Sequence, residues 1–475
     1  MIKVKLIFKQ TDYLNDVQDI PRAFAPYMVV DENAESFFKW EYNYSDGIFH
    51  VSVSSDLWEA YTDSIKVSDA DFVEYKRETK FFLKTVLYRY LSEHLQIRLP
   101  YGSLTGVRPT KMYYELSEKS EHPEAKLIEK YDVLPKKAEL IADCVKNQKN
   151  YINRDPKGVA LFLNIPFCPT RCKYCSFIST EVSRVRKELP LYVECVKKEW
   201  DGIFEIIAKN GYNVKSVYVG GGTPTSVGSV YLDAMIAPLK NFGVEFTVEA
   251  GRPDTISEEI LGVLQNNGVT RISVNPQTFK NSTLELIGRR HTVEDVYRCF
   301  EMVRSFGFHF DVNADLIATL PEETYGDFVH SVDECIALSP ENITIHTLSL
   351  KRGSVFTVSG MEKEKFGLAE KMTDYAHETL KKHGYVPYYM YRQKNTADNL
   401  ENTGYTLPSH QCSYNIDMME ESASVIAAGA GGMSKTVNGG KIERFSDPKG
   451  FREYCDRIDG TIASKNNFFL GKCGG

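Results

Sequence analysis

The chain has 475 residues, with 64 acidic and 57 basic side chains giving a formal charge of -7; this length allows two or three domains without disulfide staples, and the acidic balance excludes wholesale nucleic-acid binding while leaving room for a local basic pocket. The 10 cysteines are neither dense nor paired like a secreted framework, which fits a reducing cytoplasm. Residues 1–8 run straight into polar residues and read as neither a signal peptide nor a membrane span.

Residues 1–155 read as an α+β accessory domain. Lys3 to Phe8 has strand composition, and the runs 40–44 and 48–53 flank Ser45-Asp46-Gly47, which predicts a hairpin. Over 74–95 the period changes, with Leu83, Val86, Leu87, Tyr90 and Leu91 three and four apart as on an amphipathic helix. Helices are also expected over 110–116 and over 135–147, the second with proline in its first turn. Between the helix over 74–95 and that over 110–116, Leu99 to Thr110 holds two prolines, two glycines and Arg108. It is either a turn that packs on its neighbour or a segment presenting a guanidinium to a carboxylate.

The apolar run 159–165 has the length and aliphatic character of a buried strand. Cys168, Cys172 and Cys175 follow at once, spaced CxxxCxxC. Three thiolates without an evident fourth partner make a poor closed zinc site, and they suit an iron–sulfur cube with one iron left open. A helix over 187–209 leads to a second strand, 217–219, which opens into Gly220-Gly221-Gly222-Thr223-Pro224. Either this is a tight strand-end turn or the missing Cβ atoms let backbone approach a ligand.

Strand and helix then alternate. A third strand, 246–250, presents Glu249 near its end; a fourth, 269–274, ends in Asn275-Pro276-Gln277; a fifth, 310–317, contains Asp315; a sixth is 343–348. Helices over 257–266 and 293–306 fall between, so right-handed crossovers and a parallel sheet are expected. Polar residues at successive strand ends read as an active-site rim. His291 and His346 border apolar strands and read as hydrogen-bonded core histidines rather than metal ligands. Residues 362–383 form a helical run. The small-residue run 427–434 is either close backbone packing or a ligand-facing loop, and a short terminal helix starts near 451, with Cys473 in an exposed tail.

With Tyr174 just before its last cysteine, this motif resembles the cluster motif of the radical S-adenosylmethionine (radical SAM) enzymes. Asn164-Ile165-Pro166-Phe167-Cys168 is similar to the branch holding oxygen-independent coproporphyrinogen III oxidase (dehydrogenase) and the haem chaperones. Gly106-Val107-Arg108-Pro109-Thr110, and later Gln411 to Ile416, resemble a Gram-positive oxidase-like subgroup with an extra N-terminal region. The resemblance implies an open partial (β/α)6 barrel over 156–355 and a substrate-side C-terminal domain over 356–475. It implies a [4Fe-4S] cluster on Cys168, Cys172 and Cys175, with S-adenosylmethionine on the open iron. Phe162, Gly221, Gly222, Thr223, Glu249, Gln277, Arg289 and Asp315 fall at its SAM contacts, and Tyr174, Arg289 and Asp315 at catalytic positions.

The implied reaction is oxidative decarboxylation of two propionates of coproporphyrinogen III to vinyl groups, with a tetrapyrrole substrate and a low-potential donor such as flavodoxin or ferredoxin. On that reading Tyr388 to Lys394, with Arg392, either line a porphyrin-sized cavity or cap the barrel. There are departures. Phe177 stands where the oxidase proper has a fourth cysteine, Phe162 where relatives have tyrosine, and Gly432 where a Gly-x-Gly-Ala-x-Ser element has alanine. They leave a radical SAM haem chaperone, or an enzyme acting on another porphyrin, as the alternative.

Overall fold

The computed structural model describes residues 2–25, 27–105, 108–349, 354, 367–393 and 396–470. Gly106 and Val107 of the linker, the expected helix start at 362–366, Lys394 and Cys473 lie outside the described residues. The chain divides into two compact units.

The first unit comprises Met1–Val145, Lys365–Glu370 and Met390–Glu401. Its sheet holds β1 (Ile2–Phe8), β2 (Met28–Val30), β3 (Phe37–Ser45), β4 (Ile48–Ser55) and β5 (Tyr61–Lys66) in the order β2-β1-β3-β4-β5. Asp46 and Gly47, both at positive φ, turn β3 into β4 as the predicted hairpin. The helix Phe72–Leu95 starts where the Asp71 side chain accepts hydrogen bonds from the Val73 and Glu74 amides. Its Leu83, Leu87 and Leu91 join Phe38, Trp40 and Val51 in one core. Prolines open the helices Pro109–Ser117, Pro123–Tyr131 and Pro135–Gln148; the middle one is absent from the sequence reading because its apolar stripe is only Leu127, Ile128 and Tyr131.

The second unit comprises Lys146–Glu364, Lys371–Tyr389 and Asn402–Gly475. Its strands begin with β6 (Gly158–Ile165), followed by a two-stranded ribbon of β7 (Phe167–Cys168) and β8 (Thr180–Glu181). Then come β9 (Asn213–Gly221), β10 (Glu245–Gly251), β11 (Arg271–Val274), β12 (Asp311–Ala318) and β13 (Asn342–Thr347). Helices stand between these strands, and β6-β9-β10-β11-β12-β13 pair in parallel in that spatial order. Such strands are aliphatic because both faces are covered; Leu161, Leu163, Val219, Val248, Ile272 and Val312 are fully buried.

The remaining strands are β14 (Val386–Arg392), β15 (Glu401–Thr406), β16 (Ser424–Ala428), β17 (Met433–Asn438) and β18 (Lys441–Ser446). They extend the sheet to β14-β15-β13-β12-β11-β10-β9-β6-β16-β17-β18. The order is linear, and among the described residues no pairing joins β14 to β18. β16, parallel to β6, ends in Ala427 and Ala428, the first two residues of the small-residue run. All five of its residues are buried. The expected short terminal helix is two helices, Phe451–Asp456 and Ile458–Phe469.

At the amino ends of the parallel strands Arg271 is buried. It meets Asp311 at 3.0 Å, donates to the His410 carbonyl at 3.0 Å and reaches Asn342. His309, Asp311 and Glu341 gather there, yet Asp311 faces Arg271 and Glu341 faces Arg304 at 3.0 Å. That end is a charge-paired plug.

Candidate functional site

The opposite ends of the same strands hold the residues singled out above. β6 delivers Cys168 through Ile165-Pro166-Phe167, and the glycine strand end lies against it. Asn164 pairs with Gly220 and Ile165 with Gly221 across β6 and β9. The Gly222 amide donates to the Ile165 carbonyl at 2.9 Å, and the Thr223 amide to that of Phe167 at 2.7 Å. The Thr223 hydroxyl lies 3.8 Å from the Cys168 sulfur. A Cβ on Gly222 would lie 2.9 Å from that sulfur and overlap the Phe167 carbonyl, so only glycine permits this approach. Gly221 has φ +110, and a Cβ there would overlap the Asn164 amide oxygen.

The loop that carries Cys172 and Cys175 is clamped from below. Lys173 N–H donates to the Ile287 carbonyl at 2.9 Å, and Gly288, at φ +79, lets the Arg171 carbonyl approach. Arg252, buried, donates to the Thr170 hydroxyl at 2.7 Å and grips Asp254 with two bonds of 2.9 and 2.8 Å. Burial pushes the Cys168 and Cys175 thiols up, and the negative charge each would feel from Cys172 adds to it. Three thiolates are therefore unfavourable together unless a cationic body neutralises them. Among the described residues, the set whose donor atoms all lie within 4.8 Å of one another is His309, Asp311 and Glu341. That set lies at the amino ends of the strands, apart from the three cysteines.

Around this loop the rim is built strand by strand. The Tyr218 hydroxyl donates to Glu249 at 2.6 Å. Burial pushes the Glu249 carboxyl up to about 7; Tyr218 opposes this and the Asp315 charge adds to it. Gln277 sits at φ 71, its amide donating to the Asp315 carbonyl at 2.9 Å and its carbonyl accepting from Ile317 at 3.0 Å. This left-handed residue turns the chain after β11 onto β12, a costly backbone state of the kind that clusters at sites. Arg289 is buried, donating to the Asn275 carbonyl at 2.7 Å and to the Tyr174 hydroxyl at 3.2 Å. Among the described residues its Nε and the buried Asn275 Oδ1 have no hydrogen-bond partner, so donor and acceptor capacity remains for a ligand.

The structure thus brings Cys168, Cys172, Cys175, Tyr174, Gly221, Gly222, Thr223, Glu249, Gln277, Arg289 and Asp315 to one end of the parallel strands. Phe162 joins them differently from a tyrosine, by stacking. Its ring lies 6.3 Å from Tyr218 and 6.3 Å from Tyr414, and those two lie 4.2 Å apart. The sequence reading missed Asn164, Tyr218, Tyr414, Arg252 and Thr170, although a polar residue ending β6 and an arginine just after β10 were visible signals.

The histidines depart from expectation in two ways. His291 is buried, but neither ring nitrogen has a hydrogen-bond partner, and burial with Arg289 nearby pushes it down to about 4. His346 is half-buried with Nε2 3.6 Å from Asp315, on the rim rather than in the core. Cys412 is buried at the opposite strand ends against Glu245, at 3.4 Å, away from the three-cysteine loop. Arg392 is held by the Leu104 and Asn399 carbonyls and stacks 4.2 Å over Tyr101, all within the first unit. Its guanidinium is thus spent on backbone. Tyr388 and Tyr389 are buried, Tyr389 filling the space over Gly404. Arg108 precedes the helix Pro109–Ser117 in the first unit.

Residues 165–335 match the radical SAM superfamily. The solved structure of the E. coli radical SAM enzyme coproporphyrinogen III oxidase (HemN) superposes with a TM-score of 0.52 at 18% identity, covering 66% of this chain and 72% of that one. Fold and matched stretch together define a radical SAM protein, and that class uses S-adenosylmethionine and an iron–sulfur cluster. The oxygen-independent coproporphyrinogen-III oxidase-like protein HemZ of Bacillus subtilis (strain 168) is 37% identical over 437 residues, 86% of either chain. The heme chaperone HemW of the same organism is 29% identical over 328 residues, 65% of this chain and 82% of that one. The chain belongs to the family of oxygen-independent coproporphyrinogen-III oxidase-like proteins. No helix among the described residues is long and apolar enough to cross a membrane.

Proposed function

We propose that this chain is an oxidoreductase that converts two propionate side chains of coproporphyrinogen III to vinyl groups, giving protoporphyrinogen IX in oxygen-independent haem biosynthesis. The observation that carries the reading is the three-thiol loop lying against a Cβ-free strand end and a rim of Glu249, Gln277, Arg289 and Asp315, in a chain similar to HemZ over most of its length.

Cys168, Cys172 and Cys175 would hold a [4Fe-4S] cluster, with S-adenosylmethionine bound beside it. Bound there, the pair supplies a 5′-deoxyadenosyl radical, the chemistry characteristic of the cofactor rather than the protein. The protein positions and shields. Gly221, Gly222 and Thr223 admit the methionine end along bare backbone, while Glu249, Gln277 and Asp315 offer acceptors to ribose hydroxyls and the amino group. Arg289, locked to Asn275 and Tyr174, presents a fixed cation. The rings of Phe162, Tyr218 and Tyr414 form an apolar wall that excludes water. Each propionate gives up one hydrogen atom, one electron and carbon dioxide as its vinyl group forms. An electron acceptor is therefore needed beside a donor of ferredoxin or flavodoxin type.

In this reading residues 1–155 are the accessory α+β domain, 156–355 the open partial (β/α)6 barrel and 356–475 the substrate-side domain. The cysteine usage fits a cytoplasmic setting. A haem-chaperone role is the second reading, favoured by the similarity to HemW and by Phe177 in place of a fourth cysteine. The test is anaerobic reconstitution followed by addition of S-adenosylmethionine, reductant and coproporphyrinogen III. Carbon dioxide and protoporphyrinogen IX are expected. Stable haem binding with 5′-deoxyadenosine formation but no decarboxylation would transfer the assignment to the chaperone.

A further inference from the structure

A fully buried charge cluster lies behind the glycine strand end and has no part in the reading above. Lys465, in the last helix, is 1% exposed; its Nζ lies 2.5 Å from Glu199, 3.0 Å from Asp447 and within hydrogen-bond reach of the Ala427 carbonyl. Removing such charges from water costs several kcal/mol each, so the arrangement calls for a reason beyond stability. Glu199 uses its second oxygen on a loop: Oε2 accepts from the Gly429 amide at 2.8 Å and from the Tyr454 hydroxyl at 2.6 Å. Asp447 holds the same loop through its amide, which donates to the Gly432 carbonyl at 2.9 Å.

The far side of that loop touches the site. The Tyr192 hydroxyl accepts from the Ala430 amide at 3.2 Å and donates to the Asn164 carbonyl at 2.7 Å. The Asn164 side-chain amide donates back to the Ala430 carbonyl at 2.5 Å. The other end of the Asn164 side chain, its Oδ1, fills the space where Gly221 has no Cβ. Gly429, at φ +91, leaves no room for a Cβ beside the Asn164 carbonyl. A continuous run of packed polar contacts therefore joins Lys465 and Glu199, through residues 429–430 and Tyr192, to Asn164 and so to Gly221 and Gly222.

We propose that Lys465, Glu199 and Tyr192 are positioning residues that fix Asn164, and with it the Gly221-Gly222 backbone, at the spacing the methionine end of S-adenosylmethionine requires. The inference rests on the reading of that strand end as the S-adenosylmethionine site. It is tested on the full chain with its cluster reconstituted, by titrating S-adenosylmethionine and following the electron paramagnetic resonance signal of the reduced cluster. Iron and sulfide content and the melting temperature are measured alongside.

Tyr192→Phe is expected to weaken S-adenosylmethionine binding roughly fivefold, the equivalent of one hydrogen bond. Lys465→Met should weaken it at least about tenfold. Both variants should keep wild-type iron content and a perturbed signal with S-adenosylmethionine. If Lys465→Met fails to fold, Tyr192→Phe, which keeps the ring and its packing, decides. Unchanged affinity with a lowered melting temperature would overturn the proposal and leave the cluster purely structural. Lost iron with unchanged affinity per loaded chain would overturn it too. Wild-type protein that carries its cluster yet binds no S-adenosylmethionine would defeat the underlying reading of the site itself.

Discussion

At the scale of single residues, Cys172 and Glu249 carry the proposed chemistry. Replacing Cys172 with serine removes one thiolate of three and leaves the half-buried loop intact. Cys172→Ser is expected to lose most of its reconstituted iron and all detectable 5′-deoxyadenosine formation; turnover at full iron loading would refute the ligand assignment. Glu249 makes a second prediction. Its carboxyl titrates near 7 because burial disfavours the charged form, and the ionised form is the better acceptor for ribose hydroxyls. Affinity for S-adenosylmethionine should therefore rise as pH increases from 6 to 8, and Glu249→Gln should abolish that rise and hold affinity near the wild type's low-pH level. A pH-independent wild-type affinity would contradict the assigned contact.

Among elements, the clamp on the cysteine loop matters more than the loop's own sequence. Three cysteines in an irregular segment hold no fixed spacing by themselves; here the loop borrows rigidity from the turn at Ile287-Gly288 and from Arg252. Arg252→Met would strand Thr170 and Asp254 without their cation. The expected result is a lower melting temperature together with faster iron release to a chelator, and unchanged release would show that the loop holds its own shape. The twofold grip of β6 on its neighbours is the other element-scale device. β9 supplies glycine backbone on one side and β16 a fully buried strand on the other, so the cysteines leave a strand fixed along both edges.

Across the whole molecule, several buried titratable groups set how stability follows pH. Burial raises Glu249 and Glu323 to about 7. For both, the folded value lies above the unfolded one, so the stabilising contribution is fully present below about 4 and is lost as pH rises through 7. His291, pushed down to about 4, works in the opposite direction: its contribution is present above its unfolded value of 6.5 and lost as pH falls towards 4. Two carboxyls outweigh one imidazole between pH 6 and 8.5, since the imidazole acts mainly below 6.5. The cluster-free protein should melt at a higher temperature at pH 6 than at pH 8.5, and Glu323→Gln should flatten part of the decline. A melting temperature that climbs over that interval would show that these groups are not neutral when folded.

The sequence by itself determined the parallel strands, the intervening helices, the N-terminal hairpin and the cluster and rim candidates. Each is written in local patterns: an apolar run of strand length, a period of three to four, cysteines at fixed spacing, glycines following a strand. Tertiary structure alone decided what those residues touch. No local pattern announces that Arg252 and Ile287 will grip the cysteine loop, that a small-residue run near 427 will lie beside β6, or that Arg392 is consumed by carbonyls of its own unit. Those outcomes depend on pairings between residues tens to hundreds of positions apart, where burial requires each polar group to find a partner. For the same reason the glycines after β9 were visible as a place where backbone could meet a ligand, while Asn164 and the buried Lys465 behind them were not.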